Sequence, residues 1–158
     1  MKADTHAVWK DIHLRVAVEL VDGLVRLGVM RGAPETLVEQ EAHTLFYPHG
    51  LGHMVGLGVR DASGLFPGRQ KDPRPSLRSL RMDLPLAAGY VVTVEPGRYF
   101  IPPLLNDQAR RVRYRASVNW ALVDTLLDIG GVRIEDNVLV TDGAPEVLTK
   151  VIPKENVD

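Results

Sequence analysis

The sequence contains no cysteine among its 158 residues. Disulfide scaffolds and thiolate metal sites are therefore excluded, and the absence is compatible with the cytoplasmic setting that we expect. No apolar run approaches the roughly 20 residues needed to span a bilayer, and the segment Met1 to Asp4 lacks the apolar stretch of a signal peptide. The formal net charge is −1, so no global field would steer the chain onto nucleic acid or anionic lipid. We therefore expect neither nucleic acid nor a membrane as a partner.

The length is that of one ordinary domain, and 45% of the residues are hydrophobic, which is normal for a chain that packs a core. From Thr5 to Met30, apolar residues recur at intervals of three and four, and this spacing predicts an amphipathic helix that ends near Gly28. Pro34 occupies a position typical of the start of a helix, and a shorter helix is predicted from Glu35 to about Leu45. The two helices would form a hairpin.

The remainder of the chain carries strand and turn patterns. Residues 61 to 80 are rich in glycine and proline and predict a loop, residues 102 to 117 are ambiguous, and a short helix is predicted over residues 119 to 127. Extended or strand structure is predicted for Met54 to Arg60, for Tyr90 to Glu95 with a continuation from Arg98 to Ile101, for Val132 to Val140, and for a return strand from Glu146 to Val151. The whole pattern predicts an α+β fold with mainly antiparallel strands.

Three short segments carry residues that can do chemistry. His49-Gly-Leu-Gly-His53 holds two imidazoles beside a backbone that can approach a ligand closely, although a glycine-rich turn with surface histidines gives the same pattern. Glu95 ends an apolar strand, where a carboxylate is costly unless it is paired or metal-bound, but a strand-end residue that faces water also fits. Glu135 shares a strand face with Arg133 if the strand alternates regularly, and an ordinary ion pair explains that face equally well.

Taken together, the three segments supply one imidazole and two carboxylates from separate strands or turns: His53, Glu95 and Glu135. This donor set suits manganese, cobalt, zinc or iron(II) better than a soft metal. Two-metal hydrolases use such ligands, often with a carboxylate that bridges the ions. The combination favours a metal-dependent hydrolase.

Four segments occur in the order and approximate spacing found in prolidases and aminopeptidases P: Phe46–His53, Leu77–Arg81, Thr93–Gly97 and Gly131–Asp136. On these segments the sequence resembles the pita-bread metallopeptidases over nearly the whole chain, and the second of them leans towards the prolidases. The resemblance implies that residues 1–158 are the C-terminal part of a pita-bread (creatinase/aminopeptidase-like) catalytic domain, in which a helix pair packs on a mainly antiparallel curved sheet. The upstream part of that domain and the family's N-terminal domain would be absent.

The resemblance also implies a role for each matching residue. His53, Glu95 and Glu135 match the family's metal ligands. Glu95 is in addition the proposed general base, and Glu135 is the carboxylate that bridges both ions. His49 matches a catalytic histidine on the substrate side that is not a metal ligand.

Three arginines are predicted to bind substrate. Arg81 matches an arginine that holds the substrate's free carboxylate, and Arg133 matches one beside the metal centre. The family usually has His-Asp where this chain has Arg60-Asp61. A guanidinium cannot shuttle a proton but grips a carboxylate well, so Arg60 is predicted to contact substrate, with a surface ion pair to Asp61 as the alternative.

The family's two remaining ligands are aspartates that precede the region matched here. Asp4 and Asp11 lie in or next to the first helical pattern and do not match them. We therefore expect this chain to bind at most one ion, weakly, and to lack normal peptidase activity on its own.

The main hypothesis is a Xaa-Pro dipeptidase-like metallopeptidase that hydrolyses the bond before proline with two divalent ions, manganese first and cobalt or zinc as alternatives. One rival is an aminopeptidase P-like enzyme that acts on longer proline-containing peptides. Another is a non-catalytic binding module that has kept the fold. A homodimer or other self-association is expected, because half a sheet would expose strand edges.

Overall fold

The computed structural model describes residues 8–61, 68 and 70–154. The described residues form two compact units. The first unit is drawn from the ranges 1–13, 50–96 and 134–158, and the second from the ranges 14–49 and 97–133. The predicted start of the first helix at Thr5 and part of the predicted loop over residues 61 to 80 lie outside the described residues.

The first helix, α1 (Trp9–Arg26), ends as the sequence predicts. Gly28 takes a left-handed conformation with φ 74°, which glycine adopts without steric cost. The amide of Gly28 donates to the carbonyl of Val25 at 2.9 Å, and the amide of Val29 donates to that of Leu24 at 2.9 Å. These two hydrogen bonds form a Schellman motif and satisfy carbonyls that the end of a helix otherwise leaves open.

The predicted second helix is shorter than expected. The α-helix α2 (Pro34–Glu39) stops, and a 3₁₀ turn (Ala42–Leu45) follows. Between them Glu41 has φ 64°, a left-handed conformation that a non-glycine residue rarely adopts and that breaks the α-helical path. The redirected chain buries its next apolar side chains, so tertiary packing overrides the local helical pattern.

The second unit contains most of the remaining helices. They are α4 (Pro102–Leu105), α5 (Gln108–Arg113), α6 (Trp120–Asp124) and a 3₁₀ turn (Leu127–Ile129). Proline opens α4 at its first turn, and the side chain of Asp107 caps α5 by accepting from the amide of Arg110 at 2.8 Å. The region from 102 to 117, ambiguous in sequence, is therefore largely helical.

Arg111 of α5 connects this helix with α6. Its guanidinium donates to the carboxylate of Asp124 and lies 4.7 Å from the ring centroid of Trp120. The hydrogen bond to Asp124 raises the pKa of Arg111 and lowers the pKa of Asp124.

The second unit has a continuous hydrophobic core. Its buried residues are Ala17, Val21, Leu24, Val29, Met30, Leu37, Val38, Ala42, Leu45, Phe46, Tyr47, Leu105, Tyr114, Val118 and Val123.

The first unit contains a short helix, α3 (Pro75–Arg78), and a three-stranded sheet. The sheet consists of β1 (Val91–Val94), β4 (Asp136–Leu139) and β5 (Glu146–Val147) in the order β1-β4-β5. The two remaining strands, β2 (Gly97–Tyr99) and β3 (Gly131–Arg133), pair with each other in the second unit. Every strand pair is antiparallel, which agrees with the sequence.

The break between the strand that ends near Glu95 and its continuation at Arg98 was predicted, whereas a break within residues 132 to 140 was not. Regular strand structure stops after Val94 and again after Arg133, so the predicted strand from Val132 to Val140 consists of two separate strands. The return strand is confined to Glu146–Val147. As a consequence, the alternation that was to place Arg133 and Glu135 on one strand face does not run through this region.

The prediction that Met54 to Arg60 is extended was wrong. Met54 forms one bridge with Val92, and the chain then turns back, so that the amide of Asp61 donates to the carbonyl of Met54 at 3.1 Å. Small residues permit this tight return, since Gly56 lies against the carboxylate of Asp61.

Among the helices that the structure describes, none combines the length and the apolar character that a membrane crossing requires.

Candidate metal centre

His53 is held by a segment that pairs with β1 like an additional antiparallel strand. The amide of Val55 donates to the carbonyl of Val91, that of Thr93 to the carbonyl of His53, and that of Glu95 to the carbonyl of Leu51, at 2.8–2.9 Å. Gly52 is required for this close approach, because a Cβ atom there would lie 1.9 Å from the carbonyl oxygen of Thr93. The glycines around the two histidines therefore serve to bring one backbone against another.

The pairing sets His53 and Glu95 side by side. The Nε2 atom of His53 lies 3.6 Å from Oε1 of Glu95, and their side chains are only 7% and 12% exposed. The separation is too long for a hydrogen bond, and it suits two donors that converge on a common position. A carboxylate so far removed from water is costly unless a cation or a hydrogen-bond donor compensates it.

The other ring nitrogen of His53 determines what Nε2 offers. Nδ1 lies 2.8 Å from the carbonyl oxygen of Met54. A carbonyl only accepts hydrogen bonds, so Nδ1 carries a proton, and whenever the ring is neutral Nε2 presents a lone pair towards Glu95. Histidines that bind metals are commonly oriented in this way by a backbone carbonyl. The pair His53–Glu95 therefore fits a divalent metal ion.

Glu135 approaches this pair through the backbone. In the pairing of β1 with β4, Val94 lies opposite Asp136, so the same register continued by one residue sets Glu95 opposite Glu135. The amide of Ile134 donates to the carbonyl of Pro96 at 3.2 Å, which agrees with that register. The side chain of Glu135 is nevertheless exposed.

Within residues 8–61, 68 and 70–154, no three histidine, cysteine, aspartate or glutamate side chains gather closely enough to hold a metal ion. The structure thus brings together two of the three predicted ligands, and Glu135 would have to reorient its side chain to join them. Its neighbour Asp136 is engaged elsewhere, because hydrogen bonds from Thr149 and Lys154 hold the pKa of that carboxyl below its usual range.

His49 lies in an aromatic cluster of the second unit. Its Nε2 atom is 3.0 Å from the hydroxyl of Tyr99, and its ring makes edge contacts with Tyr47 and Tyr99 at centroid distances of 5.0 and 5.2 Å. Tyr99 is itself fixed by a hydrogen bond from its amide to the carbonyl of Phe46 at 2.9 Å. Sequence reasoning did not identify Tyr99 as a partner of His49, since the contact depends on this pairing of distant segments.

The three predicted substrate-binding arginines are all exposed. Arg60 lies in the turn that returns towards Met54, Arg81 follows α3, and Arg133 ends β3. Their roles remain predictions from the sequence.

Comparison with known proteins identifies the family. The model of metallopeptidase family M24 matches residues 2–142. A "Probable Xaa-Pro aminopeptidase" of Tuber melanosporum (strain Mel28) is 41% identical over 150 residues, which cover 92% of this chain and 32% of the relative. A Xaa-Pro dipeptidase of Xanthomonas campestris pv. campestris (strain B100) is 41% identical over 150 residues, 91% of this chain and 33% of the relative. The chain thus spans about a third of the length of these relatives.

Solved structures agree with this assignment. Proline aminopeptidase P II from Yersinia pestis matches with a TM-score of 0.66 at 29% identity, covering 95% of this chain and 28% of that chain. Zinc-substituted E. coli aminopeptidase P in complex with product matches with a TM-score of 0.65 at 31% identity, covering 95% and 27%. The mixed helices and antiparallel strands are therefore part of a pita-bread domain, as predicted. This chain belongs to metallopeptidase family M24.

Proposed function

We propose that this chain carries the histidine and glutamate ligands of a dinuclear metal centre in a Xaa-Pro peptidase. The observation that supports the proposal best is the buried pair of His53 and Glu95, with Nε2 and Oε1 3.6 Å apart and the imidazole tautomer set by Met54. A carboxylate with so little access to water, next to an imidazole nitrogen, is a favourable environment for a cation. Its donor types suit manganese, with cobalt or zinc as alternatives.

The chemistry that such a centre supplies fits a bond before proline. A bound divalent metal makes a water-derived nucleophile available near neutral pH and polarises the scissile carbonyl. In the proposal, Glu95 also accepts a proton as general base, and His49, held by Tyr99, acts on the substrate side. The exposed guanidinium groups of Arg60, Arg81 and Arg133 bind the substrate's carboxylate or carbonyl groups.

A chimera tests this function directly. Residues 8–154 would replace the matching third of the Xanthomonas campestris Xaa-Pro dipeptidase, and turnover of a Xaa-Pro dipeptide with manganese would be measured. We expect the chimera to have activity within about tenfold of the parent. In the same chimera, His53→Ala should lower activity by more than about hundredfold, because loss of even an outer partner of a metal ligand lowers activity by up to that factor. Glu146→Gln, an exposed change on β5, is the matched control.

The chimera separates the rival functions. A folded chimera that binds manganese but turns over neither dipeptides nor tripeptides would contradict the proposal and favour a non-catalytic module. Preference for a tripeptide such as Xaa-Pro-Xaa would favour the aminopeptidase alternative.

The isolated chain is expected to bind at most one manganese ion, weakly, and to show little turnover. The reason is that the proposed ligands His53, Glu95 and the shared Glu135 belong to one side of the centre, and no residue of this chain matches the two aspartates that the resemblance implies for the other side. Peptidase assays and calorimetry on the purified chain check this expectation. Turnover within about tenfold of the parental dipeptidase, or two tight sites per chain, would contradict it.

Self-association is the remaining part of the proposal. Ile129 and Val132 of the second unit are 57% and 65% exposed, and apolar side chains on and beside a strand favour pairing with another copy. Light scattering over a range of concentrations measures the oligomeric state, and a strict monomer at high concentration would count against this part.

A further inference from the structure

Thr93 occupies the position between the two proposed ligands. It is the third residue of β1 and is 2% exposed. The amide of His53 donates to its hydroxyl oxygen at 3.0 Å, and the same oxygen lies 3.1 Å from Oε1 of Glu95. One buried hydroxyl group therefore contacts both the backbone of His53 and the side chain of Glu95.

The direction of these hydrogen bonds follows from the number of protons. A threonine hydroxyl has a single proton and two lone pairs. An ionised carboxylate only accepts, so the proton of Thr93 points to Oε1 of Glu95 while a lone pair accepts from the His53 amide. The competing acceptor, the carbonyl of His53, is 3.5 Å away and already accepts from the amide of Thr93.

We propose that Thr93 is a positioning residue that orients the Glu95 carboxylate towards Nε2 of His53, so that both face one divalent metal ion. This inference rests on the proposed metal-binding function. The β-branched side chain suits the task because its rotation about χ1 is restricted, which keeps the hydroxyl in place before any ion binds. A carboxylate aligned in advance loses less conformational freedom when it binds the ion.

The proposal distinguishes two conservative replacements. Thr93→Val keeps the branched shape and removes the hydroxyl, so the Glu95 carboxylate loses the hydrogen bond from Thr93 that orients it. Thr93→Ser keeps the hydroxyl and loses one methyl group. We expect the valine variant to bind manganese about 10-fold to 100-fold more weakly than the unchanged chain, as for other partners that orient metal ligands, and the serine variant to recover most of the affinity.

Two measurements on the full 158-residue chain test this inference. Calorimetric titration with manganese gives the Kd of each variant, and metal-free crystal structures give the Glu95 rotamer. Thr93→Val should show Oε1 turned away from His53, and Thr93→Ser should keep it in place. Thr125→Val serves as the matched control, because the Thr125 hydroxyl is exposed and donates only to a local carbonyl, that of Leu122. It should leave both the affinity and the rotamer unchanged.

The outcomes separate this inference from the proposed function. If the unchanged chain and Thr93→Val bind manganese equally well, the positioning role is overturned while the metal site stands. If the unchanged chain binds manganese too weakly to titrate, the chimera decides the proposed function, and the metal-free structures still decide the role of Thr93. A Glu95 carboxylate that stays beside His53 in Thr93→Val overturns the inference in either case.

Discussion

Replacing Gly52 with alanine is expected to disrupt the candidate metal centre. The new Cβ would lie 1.9 Å from the carbonyl oxygen of Thr93, and neither of these backbones is free to move without breaking the pairing of the His53 segment with β1. We expect the free energy of unfolding to fall by about 2 kcal/mol or more, as for overpacking that displaces backbone. Thermal and denaturant unfolding measure this loss, and calorimetry should show manganese binding lost with it.

Gly58→Ala provides the matched control in the same stretch of chain. Among the described residues, an added Cβ there meets no atom closer than 3.8 Å, and the residue lies on the surface. Its stability should change by less than about 1 kcal/mol, with a gain possible because alanine restricts the unfolded chain. Equal stability of the Gly52 and Gly58 variants would mean that the close contact at Gly52 is relieved at no cost, against the pairing described above.

Removal of one ligand is the second large effect. His53→Ala is expected to weaken manganese binding by more than about hundredfold, because it removes a direct donor, whereas outer partners alone contribute up to that factor. It should also abolish the rise in Tm that we expect manganese to give the unchanged chain, since an ion stabilises only the state that binds it. The measurements are calorimetric titration and thermal unfolding with and without manganese.

His49→Ala is the natural control for this second prediction. The two histidines belong to one motif, but His49 is held by Tyr99 and is assigned to the substrate side. Its removal should leave the manganese affinity within about threefold of the original value, a change of less than about 0.7 kcal/mol. If His49→Ala weakened the metal as much as His53→Ala, the assignment of the two histidines would be wrong.

Parts of the fold that depend on local chemistry were predictable from the sequence. The end of α1 follows from Gly28, which alone among its neighbours takes a left-handed conformation without cost. The β-branched run before Glu95 likewise predicts β1, because β-branched side chains suit a pleated strand.

Other parts depend on contacts between distant segments and were not predictable. Glu41 adopts φ 64° although glutamate favours a continuing helix, and only the burial of the following residues explains it. The return of the chain after Met54 includes a hydrogen bond from the amide of Asp61 to the carbonyl of Met54, which the spacing of apolar residues does not predict.

The same division applies to the candidate site. His53 and Glu95 were selected from their motifs, and the structure sets them side by side. Thr93 lies in one of those motifs but received no role, because its importance depends on which backbone it faces. The exposure of the Glu135 side chain was not predictable either, since the sequence pattern predicts residues 132 to 140 as one regular strand.

The hydrogen bonds between the His53 segment and β1 have a consequence for how the site moves. His53 and Glu95 are each attached to a backbone whose amides and carbonyls bond to the other, so the two backbone segments separate only when that pairing opens. Opening of this pairing and loss of the ion would then be one local unfolding event, with a free energy that bound metal increases. The amide protons of Val55, Thr93 and Glu95, which make these bonds, would exchange with solvent through that event and would be protected further by bound metal.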